Sequence, residues 1–232
     1  MRLDKLLANK AFGSRKDVHQ IIKDGRVTVN GAVILKKDQF IHIGDDIIAV
    51  DGIQLSTKQQ YYIKFHKPAG YITAVEDPIH PVVMDLLPPE FKKMGVFPVG
   101  RLDKDTEGLL LLTNDGIWAH SIINGHKHVP KLYYVEFKGK LTQEGIERIE
   151  TGIVLGDGTQ CKPAKIQVLS ERSLHITIEE GKYHQVKRMI GAAGGEVTYL
   201  KRLSIGHITL NGIEAINTYS ELDDQDVVDF KK

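Results

Sequence analysis

The sequence predicts an α+β protein in two parts. A small helix–helix–hairpin unit comes first, then a larger domain on a mixed, mostly antiparallel β-sheet flanked by helices. Three observations carry this. Stretches with strand alternation, such as Lys131-Leu-Tyr-Tyr-Val-Glu-Phe137 and Leu174-His-Ile-Thr-Ile178, recur through the larger part. Helical periodicity is confined to isolated segments, without the regular strand–helix alternation of a parallel sheet. Near the N-terminus, Asn30-Gly31 stands between two short apolar runs, a strong hairpin signal. Residues 1–57 are expected to form the first domain, 58–60 a polar linker and 61–232 the second.

In chain order, Leu3, Leu6 and Leu7 follow helical spacing up to Gly13. Ser14 followed by Asp17 resembles a capping box, so a second helix is expected from Ser14 to the Gly25 cap, with Val18, Ile21 and Ile22 inward. Arg15, His19 and Lys23, four apart, share another face, with Lys16 beside them. Ile47 to Val50 reads as a strand after the hairpin. In the larger part, Tyr61 to Phe65 reads as a strand followed by a turn at Lys67-Pro68-Ala-Gly70. Helices are expected from Ser121 onward and over Gln143 to Thr151, and Gly206 to Leu210 as a late strand.

Composition sets limits. The 232 residues are 41% apolar and 26% charged, as in an ordinary soluble globular protein. No apolar run approaches the ~20 residues that span a bilayer, and the N-terminus is too polar for a secretory signal. The lone Cys161 excludes an intramolecular disulfide. These features point to the cytoplasm and away from a membrane. Net charge is only +1, but its distribution is uneven. Residues 1–26 carry a surplus of four positive charges and residues 214–232 a surplus of four negative ones, so one end suits phosphate and the other avoids it.

Two stretches carry the chemistry. Gly100-Arg-Leu-Asp103-Lys-Asp105 places two carboxylates in a polar loop directly before Leu109 to Leu112, a buried strand ending in the turn Thr-Asn-Asp-Gly116. A buried strand can hold such a loop still for chemistry, but both aspartates could equally serve only their own turn. In the second stretch, Val186, Met189, Ile190 and Ala193 form one helix face ended by Gly194-Gly195. Lys187 stands ~100° round from Val186, at the edge of that face. A partly desolvated cation there must pair with a carboxylate or snorkel to solvent.

The N-terminal pattern Arg2-Leu-Asp-Lys-Leu-Leu, Ser14-Arg15, Gly25-Arg-Val-Thr-Val-Asn30-Gly31 and Asp46-Ile-Ile resembles the S-four-type RNA-binding (αL) domain. That resemblance implies that Arg15, Lys16 and Lys23 contact an RNA backbone. The remaining motifs, Lys67-Pro68-Ala-Gly70, Gly100-Arg-Leu-Asp103 with Thr106-Glu-Gly108 to Gly116, Lys131-Leu-Tyr133-Tyr-Val135 and Glu180-Gly-Lys-Tyr-His-Gln-Val-Lys187-Arg-Met, resemble the RsuA-like pseudouridine synthases. Val197, Leu200, Arg202 and Ile205-Gly206 continue the match, which covers almost the whole chain.

The resemblance implies an isomerase that detaches uracil, turns it and rejoins it through carbon 5, without a cofactor. The implied substrate is a specific uridine of 16S rRNA (the 516-type site), naked or within a pre-ribosomal particle. A 23S rRNA site and a non-catalytic RNA-binding assembly factor are the alternatives. By motif, Asp103 is the nucleophile, Lys187 the cation that keeps it ionised, and Tyr133 the ring stacked on the base with its hydroxyl placed for proton transfer. Leu200 packs on the uracil face and Arg101 helps hold the space left by the flipped nucleotide. Lys182, Lys201 and Arg202 are candidate phosphate contacts. Asp105 is left to the turn. His126 and His128 lack a third ligand, so no metal is expected, and Cys161 lacks a base partner. A monomer is expected, with no DNA partner.

Overall fold

A computed structural model describes residues 1–10, 12–43, 45–55, 60–124 and 128–230. Much of the expected linker at 58–60, and His126, therefore lie outside the described residues. The chain forms two compact units, Met1–Tyr61 with Leu87–Val96, and Tyr62–Leu86 with Phe97–Lys232.

The first unit opens with α1 (Leu3–Asn9) and α2 (Arg15–Lys23). Ser14 caps α2 through the expected box, its hydroxyl accepting from the Asp17 N–H while the Asp17 carboxylate accepts from the Ser14 N–H. β1 (Val27–Val29) and β2 (Ala32–Val33) form the hairpin, with Asn30 at φ 51° and Gly31 at φ 81°, as its two-residue turn requires. β3 (Ile48–Val50) and β4 (Ile53–Leu55) complete a four-stranded antiparallel sheet in the order β2-β1-β3-β4. Leu3, Leu6, Leu7, Val18, Ile22, Val27 and Ile48 are its buried core. The helix α3 (Pro89–Lys93), from within the stretch expected to be the second domain, groups with this unit.

The second unit is organised by one sheet. Its strands are β5 (Tyr62–Lys67), β6 (Phe97–Val99), β7 (Glu107–Thr113), β8 (Lys131–Gly139), β9 (Lys165–Ser170), β10 (Ser173–Ile178), β11 (Gly195–Ile205), β12 (Ile208–Thr209) and β13 (Tyr219–Glu221). The main path runs β13-β5-β7-β11-β8-β10-β9, with β6 on β7 and β12 on β11. Among the strands of the described residues, β7 and β11 pair in parallel and the other strand pairs are antiparallel, in line with the mixed, mostly antiparallel sheet expected. The helices are α4 (Gly116–Ile123), α5 (Gln143–Thr151), α6 (Gln185–Ala192) and α7 (Asp224–Asp229).

Two expectations are corrected here. The Thr-Asn-Asp-Gly segment is a helix start rather than a free turn. Asp115 accepts from the Ile117 and Trp118 N–H groups, so α4 begins at Gly116, ahead of Ser121. The expected strand at Gly206 to Leu210 shrinks to the two residues of β12, because the long β11 before it ends in a tight turn at Gly206. α4 and β7 pack into a core around Trp118, whose ring meets Tyr62 edge-on at 5.0 Å and whose indole N–H donates to the Val227 carbonyl at 3.1 Å.

Candidate active site

Leu109 to Leu112 on β7 are fully buried, and the loop at 100–106 hangs from this strand. Three groups fix the loop. Lys67, at the end of β5, is fully buried, and its ammonium donates to the carbonyls of Thr106 at 2.8 Å, Pro68 at 3.0 Å, Asp103 at 3.1 Å and Lys104 at 3.4 Å. The Thr73 hydroxyl donates to the Leu102 carbonyl at 2.7 Å and accepts from the Leu102 N–H at 3.1 Å. Gly70 N–H donates to the Lys104 carbonyl at 2.7 Å. Burial pulls Lys67 down to about 8, against the attraction of Asp105, Asp103 and Glu107. From sequence Lys67 passes for a turn residue. Its local signal, a lysine closing an apolar strand just before proline, does not show what its ammonium binds.

α6 faces this loop. His184 precedes it in the left-handed region at φ 48°, and Val186, Met189 and Ile190 turn inward as expected. Lys187 sits at the edge of that face with 23% of its side chain exposed and pairs rather than snorkels. Its ammonium is 3.0 Å from Asp103 Oδ2 and 2.5 Å from Asp105 Oδ1. Asp105 is therefore more than a turn residue, although its side chain is 74% exposed against 23% for Asp103. Burial opposes charge on both partners of the Lys187–Asp105 pair. Their hydrogen bond prevails, holding Asp105 below the usual carboxylate range and raising Lys187, which Asp103 supports as well. His184 Nε2 approaches Asp103 Oδ1 to 3.5 Å, a neighbour that the sequence alone does not announce.

Asp103 and Tyr133 line one cleft of about 580 Å³. Its apolar wall includes Val99, Leu102, Ile122, Ile178, Leu200 and Ile205. Tyr133 is buried on β8 and faces Arg202 on β11 in register, with Val135 facing Leu200 one step further along. That alternation brings Tyr133, Leu200 and Arg202 to the cleft side of the sheet.

The phosphate-contact expectations change. Lys201 registers with Tyr134 and falls on the opposite face of the sheet from the cleft. Arg202 is only 3% exposed, so it is no surface clamp; its Nε donates to the Leu109 carbonyl at 2.7 Å and its Nη1 to the Tyr133 hydroxyl at 3.4 Å. Lys182 lines the cleft, but its ammonium is held by Glu180 at 3.2 Å and by the Gln160 carbonyl. Arg101 lines the cleft with an exposed side chain. Lys131, not singled out from sequence, is also in the lining.

Arg15, Lys16 and Lys23 lie exposed on α2 of the first unit, and none has an ion-pair partner among the described residues. Among the described residues no group of three His, Cys, Asp or Glu side chains is placed to hold a metal ion. His128 contacts Lys162 at 3.0 Å and Glu179 at 3.5 Å. Cys161 is buried, which pushes its thiol up from the ordinary value. No helix among the described residues is long and apolar enough to cross a membrane.

Chemically, the cleft offers a carboxylate beside an ammonium, with an aromatic hydroxyl and apolar walls of a size that suits a planar ring. The family model for RNA pseudouridylate synthase matches residues 61–192, and that for the S4 domain matches residues 1–47. The chain is 44% identical over 233 aligned residues to an uncharacterized RNA pseudouridine synthase, YtzG, of Bacillus subtilis, covering 98% of this chain and 97% of the relative. It is 36% identical to ribosomal small subunit pseudouridine synthase A of Escherichia coli, covering 98% of each. A crystal structure of a pseudouridylate synthase superposes with a TM-score of 0.68 at 30% identity, covering 99% of both chains.

Proposed function

This chain belongs to the RNA pseudouridylate synthase family, as an isomerase of the RsuA type with an N-terminal S4 domain, and we propose that it converts one uridine of 16S rRNA to pseudouridine. The contact that carries this reading is the Asp103–Lys187 pair at 3.0 Å, beside the cleft that Asp103 and Tyr133 line. In it, Asp103 is the nucleophile, acting at the anomeric ribose carbon or at uracil carbon 6, and Lys187 is its cationic partner. Tyr133 stacks on the flipped base and places its hydroxyl for proton transfer, while Leu200 packs against the ring. Arg101, exposed at the cleft, holds the space that the nucleotide leaves, offsetting part of the few kcal/mol that flipping costs. Residues 1–57 form the RNA-binding part and residues 61–232 the catalytic part, and Arg15, Lys16 and Lys23 meet the RNA backbone.

The target is the 516-type uridine, reached in the cytoplasm by a monomer acting on rRNA or on a pre-ribosomal particle. The test is tritium release from 5-tritiated uridine in rRNA taken from cells lacking this protein. Wild type should release tritium from 16S rRNA. Asp103→Asn should lower turnover by ~1,000-fold or more with RNA affinity held within a few fold. Release from 23S rRNA alone would move the substrate. Absence of release from any rRNA or particle would overturn the reading.

A further inference from the structure

The floor of the cleft holds two cations that the proposed reaction leaves unused. Arg202 is 3% exposed, and its Nη2 is buried with no hydrogen-bond partner. Lys131, on the same face of β8 as Tyr133, donates to the Val129 carbonyl at 2.8 Å. Among the described residues, no carboxylate lies within ion-pair distance of either one. A buried cation and a half-buried one side by side without a counter-ion are costly to the folded protein. The arrangement suits a guest that brings negative charge to this spot.

We infer that Arg202 and Lys131 are further catalytic residues, a cationic floor for the negative charge that the uracil ring acquires when it is detached from ribose. This rests on the function proposed above. Uracil enters the cleft uncharged. Breaking the bond between ribose C1′ and N1 leaves the electron pair on the ring, spread over N1, O2 and O4, while C1′ is satisfied by Asp103 or by loss of a ribose proton. Addition of Asp103 to carbon 6 instead puts the charge on C5 and O4 before that bond breaks. Either way the ring is transiently anionic. Rejoining forms the C5–C1′ bond as the Asp103 ester at C1′ breaks or, on the route through ribose proton loss, as that proton returns to the ribose; an adduct at carbon 6 expels Asp103. The C5 proton then leaves, N1 takes up a proton, and the ring is neutral again. No oxidant or reductant is needed. Donors fixed where charge develops stabilise that state more than the neutral substrate.

The apolar surroundings favour a ring over a phosphate. Leu200, Ile178 and Ile205 line the same cleft as the two cations, whereas phosphates remain at the solvent edge of a flipped nucleotide. The charged and titratable groups facing Lys131 are Arg202 and Tyr133 from the sheet and Glu179 beyond β10, with Arg101, Asp103, Lys104, Lys182, Tyr183 and His184 elsewhere in the lining. Burial first, and Arg202 next, pull the Lys131 ammonium down to about 8 against the attraction of Glu179.

The test compares Lys131→Met, Lys131→Arg and Arg202→Lys by single-turnover tritium release from undermodified rRNA, with thermal melting to confirm folding. Lys131→Met should slow the reaction ~10-fold or more, with rRNA affinity unchanged within twofold. Lys131→Arg should restore most of the rate. The wild-type rate should fall as pH is raised through about 8, and Lys131→Arg, which keeps its charge, should show a smaller fall, the remainder coming from Lys67 under the Asp103 loop. Arg202→Lys, which keeps the charge but loses the fork, should retain part of the rate. A Lys131→Met variant with the wild-type rate, or one that loses only affinity, overturns the inference and leaves the proposed function standing. If wild type releases no tritium, both fall.

Discussion

The Lys187 ammonium lies 3.0 Å from Asp103 Oδ2, although one residue belongs to α6 and the other to the loop before β7. The same ammonium is 2.5 Å from Asp105 Oδ1, so one cation bridges two carboxylates and its distances alone do not choose between them. Position does. Asp103 lines the cleft and is mostly covered, whereas the Asp105 side chain is 74% exposed. Asp105→Asn should therefore lower turnover less than ~10-fold, because Asp103 still holds Lys187, whereas Asp103→Asn should abolish it. Lys187→Met should fall between the two, with Lys187→Arg the milder change. Rates on rRNA decide. Equal losses from the two aspartate variants would move the nucleophile or divide its role.

A buried ammonium shared among four carbonyls makes Lys67 the anchor of the Asp103 loop. Lys67→Met strands those carbonyls in the interior and should destabilise the second unit by about 3–5 kcal/mol. The pH dependence has a definite sign. Burial lowers the folded-state value of Lys67 to about 8, below its ordinary 10.5. Between those values the unfolded chain binds more protons, so this group makes stability rise with pH from 8 upward. Urea unfolding at pH 8 and at pH 10 should show a smaller rise for Lys67→Met than for wild type. An equal rise in both proteins would remove Lys67 as its source.

The hairpin at Asn30-Gly31, the Ser14 capping box and the inward face of α6 are legible in the sequence because each is a local pattern with a local cause. β11 is not. Its pairing with β8 slips between Val197 and Tyr199 and again between Arg202 and Ser204. Each slip interrupts the two-residue alternation that marks a strand in sequence. Asp115 misleads for a different reason, since turns and helix caps use the same residue type. The meeting of Asp103 with Lys187 depends on sheet topology, and in the sequence only the family resemblance points to it. Local pattern likewise leaves Lys131 and Arg202 hidden, because nothing in a strand's spacing tells a cleft-floor cation from a surface one.

Gly108 on β7 lies against the backbone of Arg202 on β11. A Cβ there would lie 2.2 Å from the Arg202 carbonyl oxygen and 2.6 Å from its nitrogen, and φ is +108°. Backbone cannot yield as a flexible side chain can, so Gly108→Ala should cost about 3 kcal/mol or more, lowering Tm by roughly 6–12 °C in a chain of this size. Gly100 is the control. Its φ is +77° with nothing within 4 Å of where a methyl would stand, so Gly100→Ala should cost only about 1–2 kcal/mol. Calorimetric melting of the two variants should separate steric closeness from backbone strain, and equal losses would contradict the distinction.

The exposed basic residues of α2 supply the last prediction. Arg2 and Arg26 are already paired, with Asp4 and Asp51 at 2.6 Å each, and so are poorer candidates for phosphate. Arg15, Lys16 and Lys23 have no ion-pair partner among the described residues, and Arg15 and Lys23 stand two turns apart on one helix. Each phosphate of a folded RNA that is no longer neutralised should reduce the slope of log affinity against log salt by roughly 0.7–0.9. Arg15→Ala with Lys23→Ala should therefore weaken rRNA binding and flatten that slope by roughly 1.4–1.8, whereas Arg26→Ala should leave it nearly unchanged. Single-turnover tritium release at saturating protein should stay near wild type, because these side chains position the RNA and take no part in the chemistry. An unchanged salt slope in the double variant would place the backbone contacts on another surface.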